Sequence, residues 1–219
     1  MMKSFLLLIL SLMITGGGAS SDVKGCRDGW VDFICKYPNN KICQRVDVVK
    51  EGSQPIIQST LKNMWETKGR FSVYHDVKNR NLRVVIRQLQ QEDFGEYECK
   101  CDHKPGSDDV DLKVDDGCQK PFNQTGYRTA KTTISCDRGK STVMFFCKDN
   151  GPVCEDLLTK SKTKSNGSFT LLETSSSFTM SISNVSPQHA GVYWCGVETN
   201  EGRNRAALRK IQLKVKDYY

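Results

Sequence analysis

Apolar and polar positions alternate with a period of two in short runs along this chain. Examples are Val31-Asp32-Phe33-Ile34-Cys35, Leu82-Arg83-Val84-Val85-Ile86, Thr132-Thr133-Ile134-Ser135-Cys136, Phe178-Thr179-Met180-Ser181-Ile182 and the stretch from Ala207 to Val215. Period two is the mark of half-buried β-strands, so the pattern predicts an all-β protein. The runs also recur in pairs. Arg70-Phe71-Ser72-Val73 aligns with Ser168-Phe169-Thr170-Leu171, and Leu82–Ile86 aligns with Phe178–Ile182. The 219 residues therefore read as one β-rich unit said twice.

The repeat is sharpest at Asp93-Phe94-Gly95-Glu96-Tyr97-Glu98-Cys99 and His189-Ala190-Gly191-Val192-Tyr193-Trp194-Cys195. Each copy follows, by roughly 60 residues, the cysteine that ends an earlier alternating run, Cys35 or Cys136. A Tyr two residues before a Cys, with a partner Cys on an earlier strand, resembles the tyrosine corner and inter-sheet disulfide of an immunoglobulin sandwich. The expected fold is two tandem V-type immunoglobulin sandwiches, over 22–115 and 117–216, because the spacing leaves room for the extra strands of the variable type. The junction Val114-Asp115-Asp116-Gly117-Cys118 is too short for a flexible linker, which sets the halves nearly end to end.

Residues 1–20 belong to neither half. Lys3, the apolar run from Phe5 to Ile14 and the small residues Gly16 to Ser20 read as a secretory signal peptide cut near Ala19 or Ser20. That run is too short to span a bilayer, which takes about 20 apolar residues, and no stretch after residue 22 approaches that length. The chain is expected to be extracellular: secreted as written, or on the outer face of the plasma membrane if it continues as a longer receptor.

Secretion gives the ten cysteines a role, since an even set in short β-rich units reads as disulfides. Cys35 with Cys99 and Cys136 with Cys195 are the inter-sheet pairs. Cys147 and Cys154 flank a tight turn, Asn150-Gly151-Pro152, that a disulfide would staple. Cys26, Cys43, Cys101 and Cys118 allow three pairings. Strand placement favours Cys43 with Cys101 and Cys26 with Cys118, the latter locking the angle between halves. Ile42, Val46 and Val48 turn Cys43 away from the core, so that assignment calls for a bulge. No metal is expected, because Cys99-Lys100-Cys101 has the wrong spacing for a zinc knuckle. Three sequons, at Asn123, Asn166 and Asn184, fit a glycosylated surface, with Pro187 making the last a poor acceptor.

Charge separates the halves. Residues 22–116 hold 16 Lys and Arg against 17 Asp and Glu, net −1, while residues 117–219 hold 15 against 8, net +7. The basic residues of the second half bunch at Lys160, Lys162 and Lys164, then at Arg203, Arg205, Arg209 and Lys210. In a V-type sandwich the C′–C″ and F–G loops share one end, where ligands are bound. Lys160, Lys162, Lys164, Arg203, Arg205 and Arg209 are thus the candidate site for an anionic ligand such as phospholipid headgroups or a sialylated glycoprotein.

Within each half one further pair is expected. Arg70 and Asp93 form a structural salt bridge in the first half, and the second half replaces both together, with Ser168 and His189, as the cost of one unpaired buried charge requires. His189 is then a turn residue and not a catalytic base. The histidines His75, His103 and His189 fall on separate segments, and neither a nucleophile elbow nor a His-Glu-x-x-His run occurs, so catalysis, cofactors and nucleic-acid binding are not expected.

Phe145-Phe146-Cys147-Lys148, a short turn, Cys154 and then Gly191-Val192-Tyr193-Trp194-Cys195-Gly196 resemble the V-type domains of the polymeric immunoglobulin receptor and of the related CMRF-35-like leukocyte receptors. The match covers most of the second half and is looser in the first. The resemblance implies an innate or mucosal recognition receptor that binds polymeric immunoglobulin, or lipid and protein ligands of other cells, without catalysis. The stretch between Cys35 and Cys43 is shorter than that family's usual first loop, which turns the expectation from immunoglobulin transport towards a leukocyte-type receptor of an anionic ligand, or a soluble decoy of either.

Overall fold

The computed structural model describes residues 21–36, 42–104, 109–137, 144–159, 164–174, 176–199 and 202–218. Residues 1–20, expected to be a signal peptide, and Lys160 and Lys162 lie outside the described residues. In the first half the strands are β1 (Ser21–Gly25), β2 (Trp30–Lys36), β3 (Val46–Lys50), β4 (Pro55–Ser59), β5 (Trp65–Lys68), β6 (Phe71–Asp76), β7 (Asn81–Arg87), β8 (Gly95–Cys101) and β9 (Val110–Val114). The second half supplies β10 (Phe122–Tyr127), β11 (Thr132–Asp137), β12 (Met144–Asp149), β13 (Cys154–Thr159), β14 (Ser165–Asn166), β15 (Phe169–Glu173), β16 (Ser177–Ile182), β17 (Gly191–Thr199) and β18 (Asn204–Lys216).

Each half is a sandwich. In the first, the sheet β1-β9-β8-β3-β4 faces the run β2-β7-β6-β5. In the second, β13-β12-β17-β18, with β10 added parallel to β18, faces β11-β16-β15-β14. One disulfide crosses each core, Cys35–Cys99 and Cys136–Cys195. Aromatic pairs fill the space beside them: Phe33 against Tyr97 at 6.0 Å and Phe146 stacked on Phe178 at 4.9 Å. Strand β11 shows the expected alternation, buried and exposed in turn from Thr132 to Asp137. Burying one face of each sheet in this way is what holds a sandwich together.

The repeated run folds alike in both copies, down to single atoms. The Tyr97 hydroxyl donates to the Asp93 carbonyl at 2.6 Å, and the Tyr193 hydroxyl to the His189 carbonyl at 2.6 Å. The glycines of the run, Gly95 and Gly191, have φ of 131° and 143°, a region L side chains rarely enter. A Cβ on either would also press on a lysine stem, Lys50 at 3.1 Å or Lys148 at 3.2 Å. Those lysines reach past the glycine to the preceding turn, where Lys50 Nζ donates to the Glu92 carbonyl and Lys148 Nζ to the Gln188 carbonyl at 2.7 Å. The motif's Gly, Tyr and Cys are one device: close approach, corner hydrogen bond and inter-sheet bond.

All ten cysteines are paired. Besides the two core bonds they form Cys147–Cys154, Cys43–Cys101 and Cys26–Cys118. The bulge expected at Cys43 is absent, because β3 pairs with β8 in unbroken register from Val46↔Cys101 to Lys50↔Tyr97. Cys43 instead lies before the strand. Asp102 Oδ1 accepts from the Gln44 and Arg45 amides, both at 2.9 Å, and this turn aims Cys43 into the core.

The halves solve the buried corner differently. Asp93 receives both guanidinium arms of Arg70, at 2.5 and 2.9 Å, and also caps the Gln90 amide at 2.7 Å. In the second half His189 Nδ1 accepts the Ser186 amide at 2.9 Å, and its ring meets Phe169 edge-on at 5.4 Å. An amide N–H only donates, so Nδ1 must be unprotonated there. Burial, and then the neighbouring Lys148, lower the His189 pKa, and burial, then Lys62, lower that of His75.

Two outcomes follow for stability. Arg70→Ala leaves the Asp93 carboxylate buried and unpaired, and should cost about 3 kcal/mol in denaturant unfolding. Because the unfolded chain protonates its histidines at higher pH than the folded one, stability should fall as pH drops below about 6.5 and through the depressed values. His189→Asn keeps an acceptor that does not titrate, so melting at pH 7.5 and 5.5 should differ less in this variant than in the wild type.

Candidate recognition surface at the junction of the halves

Strand β2 has a free edge, and β18 takes it. Asn204, Arg205 and Ala206 pair antiparallel with Phe33, Asp32 and Val31, which joins one sheet of each sandwich into a continuous nine-stranded sheet. The length of β18, 13 residues, makes this possible. Its far portion, Ile211 to Lys216, carries β10, its near portion carries β2, and β17 runs along the other side. Cys26–Cys118 closes the joint beside it, with a Cα–Cα distance of 5.6 Å.

Trp30 fills the angle between the sandwiches. It is 3% exposed and packs with Phe145, Trp194, Ala207 and the Cys147–Cys154 bridge, so an apolar cluster bridges the halves. The close approach needs glycine: a Cβ on Gly29 would sit 3.3 Å from the Ala207 carbonyl and 2.9 Å from that of Cys26. Ion pairs rim the cluster. Arg87 of the first half binds the Asp149 carboxylate and the Gly151 carbonyl, each at 2.5 Å, while Asp149 also accepts from Trp194 Nε1 at 3.1 Å. Arg83 grips Asp32, with Nε at 2.7 Å from Oδ1.

The candidate basic residues do not share one setting. Arg205 is 7% exposed: its guanidinium lies 4.1 Å from the Phe145 ring centre, binds Asp156, and meets Glu198 at 3.4 Å. The expectation of an open F–G loop residue is corrected here, since β18 carries Arg205 into the joint. Arg209 lies over Phe122 at 4.2 Å and donates to the Lys120 carbonyl at 2.9 Å. Arg203 is half-buried beside the joint, and Lys164 is exposed before β14. Asn123, Asn166 and Asn184 are exposed, as glycan acceptors must be. Among the described residues no group of three His, Cys, Asp or Glu is placed to hold a metal ion, and no helix is long and apolar enough to cross a membrane.

The geometry of β10–β18, with its corner tyrosine, crossing disulfide and nine-strand layout, corresponds to a known domain. Residues 119–216 match the immunoglobulin V-set domain. Beyond this V-set domain, the chain is similar to polymeric immunoglobulin receptors. It is 28% identical to the receptor of Oryctolagus cuniculus over 202 residues, 87% of this chain and 26% of that protein. It is 26% identical to the Homo sapiens receptor over 192 residues, 80% of this chain and 25% of the relative. The chain thus spans about a quarter of the length of these relatives. A solved structure of the NK cell receptor NKp44 aligns with 45% of this chain and all of its own, at 21% identity and a TM-score of 0.39. The sequence relatives are receptors, in line with the expectation that the chain is not an enzyme.

The β2–β18 pairing was not foreseen, although a signal for it exists. Strand β2 is buried on both faces from Trp30 to Phe33, whereas its counterpart in the V-set domain, β11, alternates. At matching outward positions β2 carries Trp30, Asp32 and Ile34, where the V-set half has Lys131, just before β11, then Thr133 and Ser135. An outward Trp, Asp and Ile on a strand that should face water marks a covered surface.

The joint should therefore survive loss of its disulfide. A Cys26→Ser, Cys118→Ser variant is expected to keep the scattering profile of the wild type, while adding Trp30→Ala broadens it and lowers stability by about 3–5 kcal/mol. Small-angle scattering and urea unfolding read the two effects.

Proposed function

We propose that the chain is the recognition part of an extracellular receptor, with tandem V-type domains over 22–115 and 117–216 acting as one rigid unit after removal of residues 1–20. Its ligand is a glycoprotein, and polymeric immunoglobulin is the first candidate. The observation that carries this reading is the extent of the likeness: an alignment over 87% of the chain has to cross both halves, and the proteins it reaches are polymeric immunoglobulin receptors. The rigid joint supports it, because fixed domains lose less freedom on binding a large ligand.

A second reading, a CMRF-35-like leukocyte receptor of anionic phospholipid, is favoured by the charge of the V-set half, 15 basic against 8 acidic residues. Arg205 and Arg209 are already committed within the fold, so this reading rests on Lys164 and its neighbours in sequence Lys160 and Lys162. Membrane attachment or secretion is compatible with either reading.

The two are separated by one comparison at physiological salt: the glycosylated chain against immobilised polymeric immunoglobulin and against phosphatidylserine vesicles. The proposal expects saturable immunoglobulin binding that Lys164→Glu leaves within about twofold, a change of about 0.4 kcal/mol. Vesicle binding alone, falling with salt and with Lys164→Glu, would give the second reading instead.

A further inference from the structure

Along the joint runs a cleft of about 560 Å³, inside the range of about 300–1,000 Å³ usual for small-ligand sites, which favour domain junctions. Ion pairs form its back: Asp32 with Arg83 from the first half, and Arg205 with Asp156 and Glu198 from the V-set domain. One side is aromatic. Trp65 and Tyr74 lie 5.4 Å apart between ring centres, and Trp65 is half-buried, with the Arg83 guanidinium 6.0 Å from its ring. Asp76, which accepts from the Asn79 amide and side chain at 2.9 and 2.7 Å, also lines the cleft, as do Asn81 and Arg203.

This lining narrows the ligand by chemistry. A polyanion would have to draw Arg83 and Arg205 away from carboxylates they already bind, and a polycation would meet three guanidiniums. Carboxylates only accept hydrogen bonds, guanidiniums only donate, and amides do both from separate atoms. A hydroxyl donates and accepts at a single atom, so vicinal hydroxyls can bridge neighbouring acceptor and donor walls without breaking either ion pair. The carbon face of a sugar ring then covers Trp65, removing apolar surface from water. The cleft on the other side of the joint, about 530 Å³, is lined by Asp22, Lys24, Asp115, Asp116, Glu198 and Arg205 and, among the described residues, by no aromatic side chain.

We infer that the cleft between the halves binds a neutral sugar unit of a glycan. This deepens the glycoprotein reading, on which it rests for its biological partner, by naming the part of the ligand that enters the joint.

The test is calorimetric titration of the full chain with N-glycans released from polymeric immunoglobulin and with neutral oligosaccharides, alongside heparin and a polylysine peptide. Binding of neutral glycans is expected, weakened about tenfold or more by Trp65→Ala and by Asn81→Ala, and unchanged by Asp116→Ala in the opposite cleft. Melting curves of the variants show that the fold is kept, and Asn81→Ala decides the matter if Trp65→Ala is unstable. Heparin or polylysine binding that the Trp65 change abolishes overturns the inference, as does glycan binding indifferent to both substitutions, or no glycan binding. If immunoglobulin binds equally after enzymatic deglycosylation, the inference fails while the receptor reading stands. If released glycans bind and immunoglobulin does not, the receptor reading fails and the cleft assignment stands.

Discussion

The free edge of β2 is the constraint on which the rest of the molecule depends. An unpaired strand edge offers a row of amides and carbonyls to any passing strand. Here that row is satisfied within the chain by Asn204–Ala206 of β18, and the consequences spread from that contact. It places Trp30 against the outer surface of the V-set domain, draws Arg205 inward, and sets Arg87 opposite Asp149. The surface that a separate V-type sandwich would present to a ligand is partly occupied by the other half.

Beneath that joint the two sandwiches share a common set of contacts and differ at one corner. The glycine that lets a lysine stem pass, the tyrosine that ties down the turn and the disulfide across the core recur atom for atom. The corner is charged in the first half, where Arg70 and Asp93 bond in two places, and uncharged in the V-set domain, where His189 Nδ1 does the capping that the Asp93 carboxylate does elsewhere. One corner is set by an ion pair, the other by a ring that must stay neutral.

The fold was legible in the sequence because its determinants are local: period-two runs, Gly-x-Tyr-x-Cys, and the position of each cysteine relative to a strand. The exchange of Arg70 and Asp93 for Ser168 and His189 was legible too, since it follows from the energetics of a single pair. The site was not. Counting charge along the V-set half groups Arg203, Arg205 and Arg209 as one cluster, yet β18 begins at Asn204 and sends Arg205 and Arg209 to different surroundings. Cys43 shows the same difficulty on a smaller scale: parity predicts its direction only if it belongs to the strand, and Asp102 ends the strand before it. What local pattern lacks is the long-range partner, and the one trace of that partner was the composition of an outward face, Trp30, Asp32 and Ile34.

Strand β18 also has a mechanical meaning. It runs through the molecule with β17 along one side and β2 and then β10 along the other. In antiparallel pairs the hydrogen bonds stand perpendicular to the strand. A load directed along β18 would therefore strain its bonds to β17 and β2 together in shear, instead of peeling them one by one, and it would reach the first half through the β2 contact as well as through Cys26–Cys118. The chain is built so that tension on one sandwich is felt by both as a single stiff element.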